Sequence, residues 1–549
     1  MLRKIKLLAF AVILLGLFAP LGHAQEPHEH QHAEGEKLGQ VHFPVSCDPS
    51  LQGEFDRAVA MLHSFWYERA AEAFAEIARK DPSCAMAHWG MAMTIYHPLW
   101  EKPGAEALKN GSAAVGRARL ITAKTEREKD YIAAIEAFYK DYADVDHVTR
   151  TLAYEKAMQQ LHSRFPEDHE ATVFYSLALL ASAQAQPGDK TYAREKQAAA
   201  MLNQVLAAQP EHPGVTHYLI HAYDSPPLAS LALSAARGYA KIAPSVPHAL
   251  HMPSHIFTRL GLWQESIQSN LASEAAARRF AVEMHLEGAW DEQLHAMDYL
   301  MYAYLQSAQD QRAKALLDEL YHIRKTTPES FKVAYAFAAL PARYTLERRR
   351  WAEAAALQAY PKDFPWSRFA WGEATLYYAR GVGAARSGDT ATARQSVERL
   401  AALEKALLEA KDRYWANQVA IQRLTASAWL AYAEKRKAEA LNLMRSAVEM
   451  EEATEKHPVT PGPVVPAREM LGDLLLEMGE PGQAAKAYEA VLAVAPNRFG
   501  SLLGAARAAK QMRDTAKARS FYSQLAAICD HADGERAELQ EARRFLRAK

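Results

Sequence analysis

The sequence predicts an all-α protein built from stacked helix pairs, and three observations support this fold class. Alanine, leucine, glutamate and arginine dominate, β-branched runs are scarce, and the 549 residues include only 25 glycines and 26 prolines. Hydrophobic residues make up 49% and charged residues 23% of the chain, which is typical of a globular protein with buried cores. Residues 210–259 match themselves after a shift of 34 residues, a period typical of a helix–turn–helix repeat.

The charge balance of the chain argues against two classes of partner. The 64 basic and 65 acidic side chains give a formal net charge of −1. This balance provides no general electrostatic attraction to nucleic acid or to an anionic membrane surface. Beyond the first residues, no stretch approaches the roughly 18 uninterrupted apolar residues of a membrane-spanning helix. We therefore expect neither a nucleic-acid partner nor an integral membrane segment in the mature chain.

The N-terminal residues predict export. A basic start is followed by an apolar segment over residues 7–18, too short to span a membrane comfortably, and small residues precede a cleavage site near Ala24. Residues 1–24 are therefore interpreted as a signal peptide, which implies a periplasmic or secreted protein. Residues 25–46 are polar, carry histidines at positions 28, 30 and 32, and are expected to be disordered. Such a tail could hold Cu²⁺, Ni²⁺ or Zn²⁺ loosely, although a solvated tail is the simpler interpretation.

Proline and glycine positions divide the rest of the chain into three parts. Residues 47–456 are expected to form an irregular stack of helix pairs, in which insertions interrupt the repeat. Residues 457–466 read H-P-V-T-P-G-P-V-V-P and predict an extended connector, because proline fixes φ and donates no backbone hydrogen bond. Residues 467–549 contain the most regular repeats, with small residues where the helices cross and proline at the end of the second helix.

Three cysteines remain in a chain that is expected to enter an oxidising compartment: Cys47, Cys84 and Cys529. Cys47 precedes the first helix of the first repeat, and Cys84 precedes the first helix of the second repeat. Neighbouring repeats place these helix starts side by side, so we predict a Cys47–Cys84 disulfide. The alternative is a pair of unrelated buried thiols. Cys529 is left over and is expected to be buried.

Four short strings, together with the 34-residue period, support a family resemblance. They are L-H-S-F-W-Y at 62–67, C-A-M-A-x-W-G at 84–90, H-M-P-S-H-I-F at 251–257 and T-P-G-P at 460–463. Over most of residues 51–546 the chain resembles the tetratricopeptide-repeat (TPR) superfamily, and more narrowly exported bacterial TPR proteins that carry these strings. The resemblance implies a right-handed superhelix, an α-solenoid, whose first helices line a concave groove that binds a protein or peptide partner. It implies no chemical activity.

The motif H-x3-H occurs twice, as His217/His221 and His251/His255, at the same place in consecutive repeats. Residues four apart on a helix are neighbours, about 5–6 Å apart, so two imidazoles can bind one ion through bonds of about 2.0–2.1 Å. Packed helices lie roughly 8–10 Å apart, so the two pairs can converge. The four histidines therefore predict a transition-metal site for Zn, Cu, Fe or Ni, and not for Ca²⁺ or Mg²⁺.

Numbering the repeats as in the TPR superfamily places further side chains on the groove side or near the metal site. These candidates are Asp224, His248, Arg259, His295, Asp298, Tyr302, His63 and His97. Asp298 or Asp224 could replace one imidazole, and Asp224 or Tyr302 could orient a ring. His63 and His97 could belong to a second, weaker metal site. Pro253 predicts a kink or a delayed helix start, which would either separate His251 from His255 or aim both at one centre.

Two other interpretations of the histidines stay open at this point. They could be polar groove residues that contact a peptide or small molecule, or hydrogen-bonded core histidines. The chain contains no G-x-S-x-G, H-E-x-x-H, phosphate-loop or dinucleotide motif, so no catalytic residue is assigned. The sequence thus predicts an exported repeat protein with a histidine-rich, metal-binding concave face. A metal-dependent enzyme on the same scaffold and a plain protein-binding scaffold without metal are the alternatives.

Overall fold

A computed structural model describes residues 35–99 and 102–548 of the chain. The predicted signal peptide and the histidines at positions 28, 30 and 32 lie outside the described residues. Strand structure in the described part is limited to Ala289–Trp290 and Thr326–Thr327, which pair in parallel. From Lys37 onward the chain forms one compact unit.

The first part of the stack begins with a 3₁₀ turn at Pro49–Leu51. It continues through α1 Gln52–His63, α2 Tyr67–Lys80, α3 Ala85–Tyr96, α4 Ala105–Ile121, α5 Glu126–Tyr139, α6 His147–Arg164, α7 His169–Ala185 and α8 Ala193–Ala208. Helix α2 illustrates why these segments pair. Ala70, Phe74 and Ile77 recur at helical spacing and are fully buried, so one apolar face packs on the neighbouring helices.

The middle of the stack carries the two H-x3-H motifs. It comprises α9 Pro213–Tyr223, a 3₁₀ turn Ala229–Ala232, α10 Leu233–Ile242, α11 Pro247–His251, α12 Pro253–Arg259, α13 Trp263–Glu283, α14 Asp291–Gln306 and α15 Asp310–Leu320. Helices α9 and α11 both have a proline in their first turn, and their starts are 34 residues apart. Proline suits this position because the first turn needs no backbone donor there.

The remaining helices complete the stack. They are α16 Phe331–Glu347, α17 Trp351–Ala355, α18 Ala370–Ser387 after a 3₁₀ turn at Trp366–Arg368, α19 Thr390–Glu409, α20 Arg413–Ala433, α21 Lys437–Glu452, α22 Ala467–Glu477, α23 Pro481–Val494, α24 Phe499–Gln511, α25 Thr515–Ile528 and α26 Ala537–Arg547. Successive helices pack on one another along the chain. The predicted all-α, superhelical repeat of stacked helix pairs is therefore confirmed. Within the described ranges, no helix is both long and apolar enough to cross a bilayer.

The proline-rich segment 457–466 packs against helices of the stack. The Gly462 carbonyl accepts hydrogen bonds from Arg343 Nη2 (2.8 Å) and from the Tyr335 hydroxyl (3.4 Å), both on α16. The His457 ring stacks on Phe331 of the same helix, with ring centroids 4.5 Å apart. Side chains of α16 thus satisfy the Gly462 carbonyl, while the Thr460 amide donates to the His457 carbonyl at 3.2 Å within the segment.

Cysteine positions agree with the repeat geometry. Cys84 immediately precedes α3, and the structure joins it to Cys47 in a disulfide whose Cα atoms are 4.8 Å apart. Cys529 is a buried free thiol.

Two glycines of α4 are expected to respond oppositely to alanine. A Cβ at Gly111 would lie 2.2 Å from the buried ring of Tyr139, whereas a Cβ at Gly116 would meet no atom within 4 Å. Gly111→Ala should therefore lower the free energy of unfolding by about 1–3 kcal/mol through overpacking. Gly116→Ala should raise it by roughly 0.5–1 kcal/mol, because alanine restricts the unfolded chain. Urea unfolding of both variants measures the difference, and equal effects would contradict this packing.

Candidate metal centre

Six histidines from three neighbouring parts of the stack come together. Their ligand atoms form two groups of three, and within each group the atoms lie within 4.8 Å of one another. The first trio is His217 and His221 of α9 with His248 of α11. The second trio is His251 at the end of α11, His255 of α12 and His295 of α14. The trios are adjacent, since the His221 and His255 ring centroids are 6.1 Å apart and those of His248 and His251 are 6.0 Å apart.

Hydrogen bonds fix the tautomers of two rings in the second trio. His251 Nδ1 lies 2.7 Å from Asn270 Oδ1, and the Asn270 amide nitrogen donates to the Ser266 carbonyl, so Oδ1 is the acceptor. His255 Nδ1 lies 3.0 Å from the Asp224 carboxylate, which can only accept. Both rings therefore carry their proton on Nδ1. Their Nε2 lone pairs face each other at 3.1 Å.

In the first trio, a hydrogen bond fixes the tautomer of one ring in the same way. His217 Nδ1 donates to the His63 carbonyl at 2.7 Å, which leaves Nε2 unprotonated. That Nε2 lies 3.1 Å from His221 Nε2. His248 completes the trio, with its ring centroid 5.1 Å from that of His217 and its Nδ1 3.6 Å from Glu292 Oε2.

The break at Pro253 leaves the second trio intact. Helix α11 ends at His251 and α12 begins at Pro253, and the intervening Met252 has helical dihedral angles. The chain direction therefore continues across the break, so that His251 and His255 keep the i, i+4 relation and face each other.

Charged side chains support the centre at His255. Asp224 accepts hydrogen bonds from His255, from Arg259 Nε at 2.8 Å and from Lys456 Nζ at 2.8 Å. Burial opposes ionisation of Asp224, but Lys456 and Arg259 hold its pKa well below the usual range. Lys456 comes from the segment just before the proline-rich connector, so this distant part of the chain anchors a ring of the centre.

A second charged group lies near His248. Lys332 Nζ contacts Asp291 at 3.0 Å and Glu292 at 2.7 Å, and all three side chains are at least nine-tenths buried. Glu292 Oε2 lies 3.6 Å from His248 Nδ1. The two carboxylates are thus already paired with a cation.

Burial keeps five of the six histidines of the centre neutral at pH 7. Burial, assisted by the neighbouring imidazoles, lowers the pKa of His217, His221 and His251 well below the usual range. Burial likewise lowers the pKa of His295 well below that range, and that of His255 to about 4. Neutral imidazole is the form that binds metal ions.

Two predicted residues of α14 lie outside the centre. Asp298 Oδ1 is 3.9 Å from Arg343 Nε, and burial raises the pKa of Asp298 to about 6. The Tyr302 hydroxyl accepts a hydrogen bond from Arg498 at 2.9 Å. These contacts pair both side chains with arginines, and of the two residues expected to orient a ring it is Asp224 that bonds to a histidine of the centre.

Sequence reasoning missed Tyr299, whose hydroxyl lies 3.2 Å from His255 Nε2. The sequence predicts Tyr302, and not Tyr299, on the face of α14 that meets the centre. His295 and Tyr299 are four residues apart, as are the members of the two H-x3-H motifs. Extending this spacing to the third helix would have identified Tyr299. Asn270 and Lys456 could not be found in this way, because their contacts with the centre depend on tertiary packing.

The predicted residues His63 and His97 occupy different surroundings. His97 ends α3 with a φ of 44°, and its ring stacks on Tyr67 with centroids 4.2 Å apart. His63 contributes its carbonyl to His217, while its ring belongs to a third group with Glu170 and His212. The structure therefore separates His97 from His63 and does not pair them in one site.

The third group is a closed hydrogen-bond network. Glu170 accepts hydrogen bonds of 2.8 Å from both His63 Nε2 and His212 Nε2. His63 Nδ1 is bonded to the Tyr218 hydroxyl at 3.0 Å, and His212 Nδ1 accepts from the Val215 amide at 3.2 Å. Every ring nitrogen thus has a complementary partner, whereas His251 Nε2 of the second trio faces another unprotonated nitrogen.

The string at 62–67 packs beneath the first trio. Phe65 has a φ of 55°, and its ring centroid lies 4.4 Å from that of His217 and 5.7 Å from that of His248. A left-handed conformation is unfavourable for phenylalanine and persists where packing imposes it. This turn places both the His63 carbonyl and the Phe65 ring against the imidazole of His217.

Comparisons with known proteins add little to this description. No protein-family model matches the sequence, and no curated protein matches it. Similar solved structures include the APC/C hetero-tetramer Cut9–Hcn1, at 12% identity and a TM-score of 0.26 over 90% of this chain and 96% of that chain. A human IFIT1 dimer with m7Gppp-AAAA is similar at 11% identity and a TM-score of 0.33, over 81% and 90% of the two chains. At these scores neither likeness bears on the site.

Proposed function

We propose that this protein binds transition-metal ions at the centre formed by the two histidine trios. The observation that carries the proposal is the pair of facing lone pairs on His251 and His255, 3.1 Å apart. Two unprotonated nitrogens at this distance repel each other, and a cation bound to both removes the repulsion. Metal–nitrogen bonds of about 2.0–2.1 Å at angles of about 90–110° separate two ligands by roughly 2.9–3.4 Å, which includes this distance.

The ring environments support the same function. His217, His251 and His255 each give their Nδ1 proton to an oxygen, namely the His63 carbonyl, the Asn270 amide and the Asp224 carboxylate. Metal-binding histidines commonly have such partners, which fix the ring and direct the other nitrogen to the ion. The competing interpretation, hydrogen-bonded core histidines, fits the closed network of His63, Glu170 and His212. In the second trio the Tyr299 hydroxyl can donate to His255 Nε2, but His251 Nε2 still faces an unprotonated nitrogen.

The ligand type favours a limited set of ions. Imidazole nitrogen suits Zn, Cu, Fe and Ni, whereas Ca²⁺ and Mg²⁺ prefer oxygen. At a given nitrogen site the divalent ions of the first transition row bind most tightly at copper. Copper is therefore the first ion to test.

The proposal includes the compartment and a partner. The signal-like residues 1–24 support a periplasmic or secreted protein, where metal ions are taken up without competition from cytosolic binding proteins. The resemblance to TPR proteins supports a concave groove that holds a protein or peptide. A protein or peptide partner is thus proposed beside the metal.

Metal content of the untagged protein tests the function. Protein loaded with Cu²⁺ and freed of excess metal should retain copper, and His251→Ala/His255→Ala should lower the amount retained, because binding at the second trio weakens by more than about 100-fold. Loss of ligands should exceed the roughly 10–100-fold cost of losing a ring's supporting partner. Elemental analysis and a competition titration provide the measurement.

Two control variants separate the centre from other histidines. His42→Ala/His322→Ala removes the same number of histidines from exposed positions and should leave the affinity unchanged. Both pairs are compared in a background in which His28, His30 and His32 are alanine, which removes binding by the tail. Copper absent from the wild type, or undiminished in the folded His251→Ala/His255→Ala variant, would overturn the proposal.

A further inference from the structure

Building on the proposed metal function, we propose that the centre binds two ions side by side, one in each trio, and that the ions share a small anionic ligand such as hydroxide. The inference concerns the number of ions and the class of the additional ligand. It rests on the grouping of the six rings, on the charges around them and on the position of Tyr299.

The grouping of the rings favours two ions over one. The ligand atoms assemble as three and three, not as a single set of six. Each trio contains one pair of Nε2 atoms 3.1 Å apart, and each therefore offers its own chelating pair. Adjacent rings of different trios, such as His221 and His255, have centroids only 6.1 Å apart. Two ions held in this way lie close enough for one small ligand to reach both, as in two-metal sites with ions about 3.5–4 Å apart.

Three protein ligands leave each ion short of a full coordination shell. Closed structural zinc sites use four protein ligands, whereas sites with three retain a position for water or another ligand. Both trios supply three imidazoles. A ligand shared between the ions completes both shells at once.

The charge of the surroundings requires this ligand to be an anion. Imidazoles that bind metal ions are neutral and contribute no charge. Near His255, Asp224 faces two cations, Arg259 and Lys456. Near His248, Asp291 and Glu292 face one cation, Lys332. These three carboxylates and three cations balance one another, so two divalent ions would add four positive charges to the buried site, which is costly without an anion.

Access and hydrogen bonding fit a ligand of the size of water. Of the six rings, His221 is partly exposed, whereas His217 and His251 are fully buried. His221 is therefore the ring of the centre nearest to solvent, and the burial of the other rings favours a small ligand. The Tyr299 hydroxyl, 3.2 Å from His255 Nε2, is placed to donate a hydrogen bond to an anion bound beside that ring. Tyr299 is thus assigned as a positioning residue for the shared ligand.

Copper loading followed by azide titration tests the inference. The wild type should bind two Cu²⁺ per chain, show fewer than one unpaired spin per copper by EPR because the ions are coupled, and develop a new absorption band with azide. His221→Ala/His248→Ala and His251→Ala/His295→Ala should each retain one copper and lose the azide response at least about tenfold. Tyr299→Phe should keep two coppers and bind azide several-fold more weakly.

The outcomes separate this inference from the function on which it rests. No copper in the wild type means that the proposed function fails. The shared centre is overturned, but metal binding is not, by any of three results. These are one copper per chain, two coppers with a full spin each, or an azide response that persists in the variants that have only one intact trio. Unchanged azide affinity in Tyr299→Phe overturns the role of Tyr299. The number of copper ions and of unpaired spins in the wild type decides whether two ions share a ligand, even if a variant does not fold. Circular dichroism of each variant shows whether it is folded.

Discussion

Replacing Asp224 with asparagine is expected to weaken both the fold and the metal centre. The carboxylate accepts from His255, Arg259 and Lys456, and its side chain is only 7% exposed. Asparagine keeps the shape but leaves two largely buried cations without their anion, which should lower the free energy of unfolding by about 3–5 kcal/mol. Replacing the charged acceptor of His255 Nδ1–H with a neutral amide should weaken copper binding by about 10–100-fold. Urea unfolding of the apo protein and copper competition measure the two effects separately.

Asp473→Asn is the matched control for this prediction. Asp473 also anchors a partly buried network, accepting from Arg349 at 2.9 Å and from the Tyr488 hydroxyl at 2.6 Å. Its replacement should destabilise the protein and leave copper affinity unchanged. Equal losses of copper affinity in the two variants would mean that Asp224 acts only through general stability.

Replacing Arg498 with methionine is expected to be among the most destabilising single changes. The guanidinium is fully buried and forms a two-bond contact with Glu469 at 2.8 and 2.9 Å. It also donates to Glu347 at 2.6 Å and to the Tyr302 hydroxyl at 2.9 Å, so it connects α14, α16, α22 and the start of α24. Its loss leaves two carboxylates buried without a cation, at a cost of about 3–5 kcal/mol in unfolding free energy.

An exposed arginine with the same contact geometry provides the comparison. Arg399 forms two bonds of 2.9 Å with Glu373, but its side chain is 45% exposed. Arg399→Met should leave the urea midpoint nearly unchanged, because water screens and replaces an exposed ion pair. Similar losses for both variants would show that burial of the Arg498 network does not contribute to stability.

The fold and the location of the centre were accessible from sequence because both depend on local spacing. The 34-residue period and the prolines at the starts of α9 and α11 predict equivalent helices. The repeated H-x3-H motif then places His217, His221, His251 and His255 on matching faces. Such information is contained in short segments, which fix helical faces without knowledge of the tertiary structure.

The composition of each trio was not accessible, because it depends on how helices are rotated and which distant segments reach them. The sequence grouped the two H-x3-H pairs into one four-histidine site. The structure adds His248 to the first pair and His295 to the second pair. The orientation of α14 about its axis places Tyr299, and not the predicted Tyr302, next to the histidines. Lys456 reaches Asp224 across 232 residues, a contact that no local pattern encodes.

The metal proposal is tested most directly by anomalous diffraction from crystals of copper-loaded protein. Data collected on the two sides of the copper absorption edge should give an anomalous peak between His251 Nε2 and His255 Nε2, about 2 Å from each. A centre shared by two ions adds a second peak at the first trio. Fully loaded crystals with no anomalous peak at either trio, or with copper only at exposed histidines such as His42 and His322, would contradict the account.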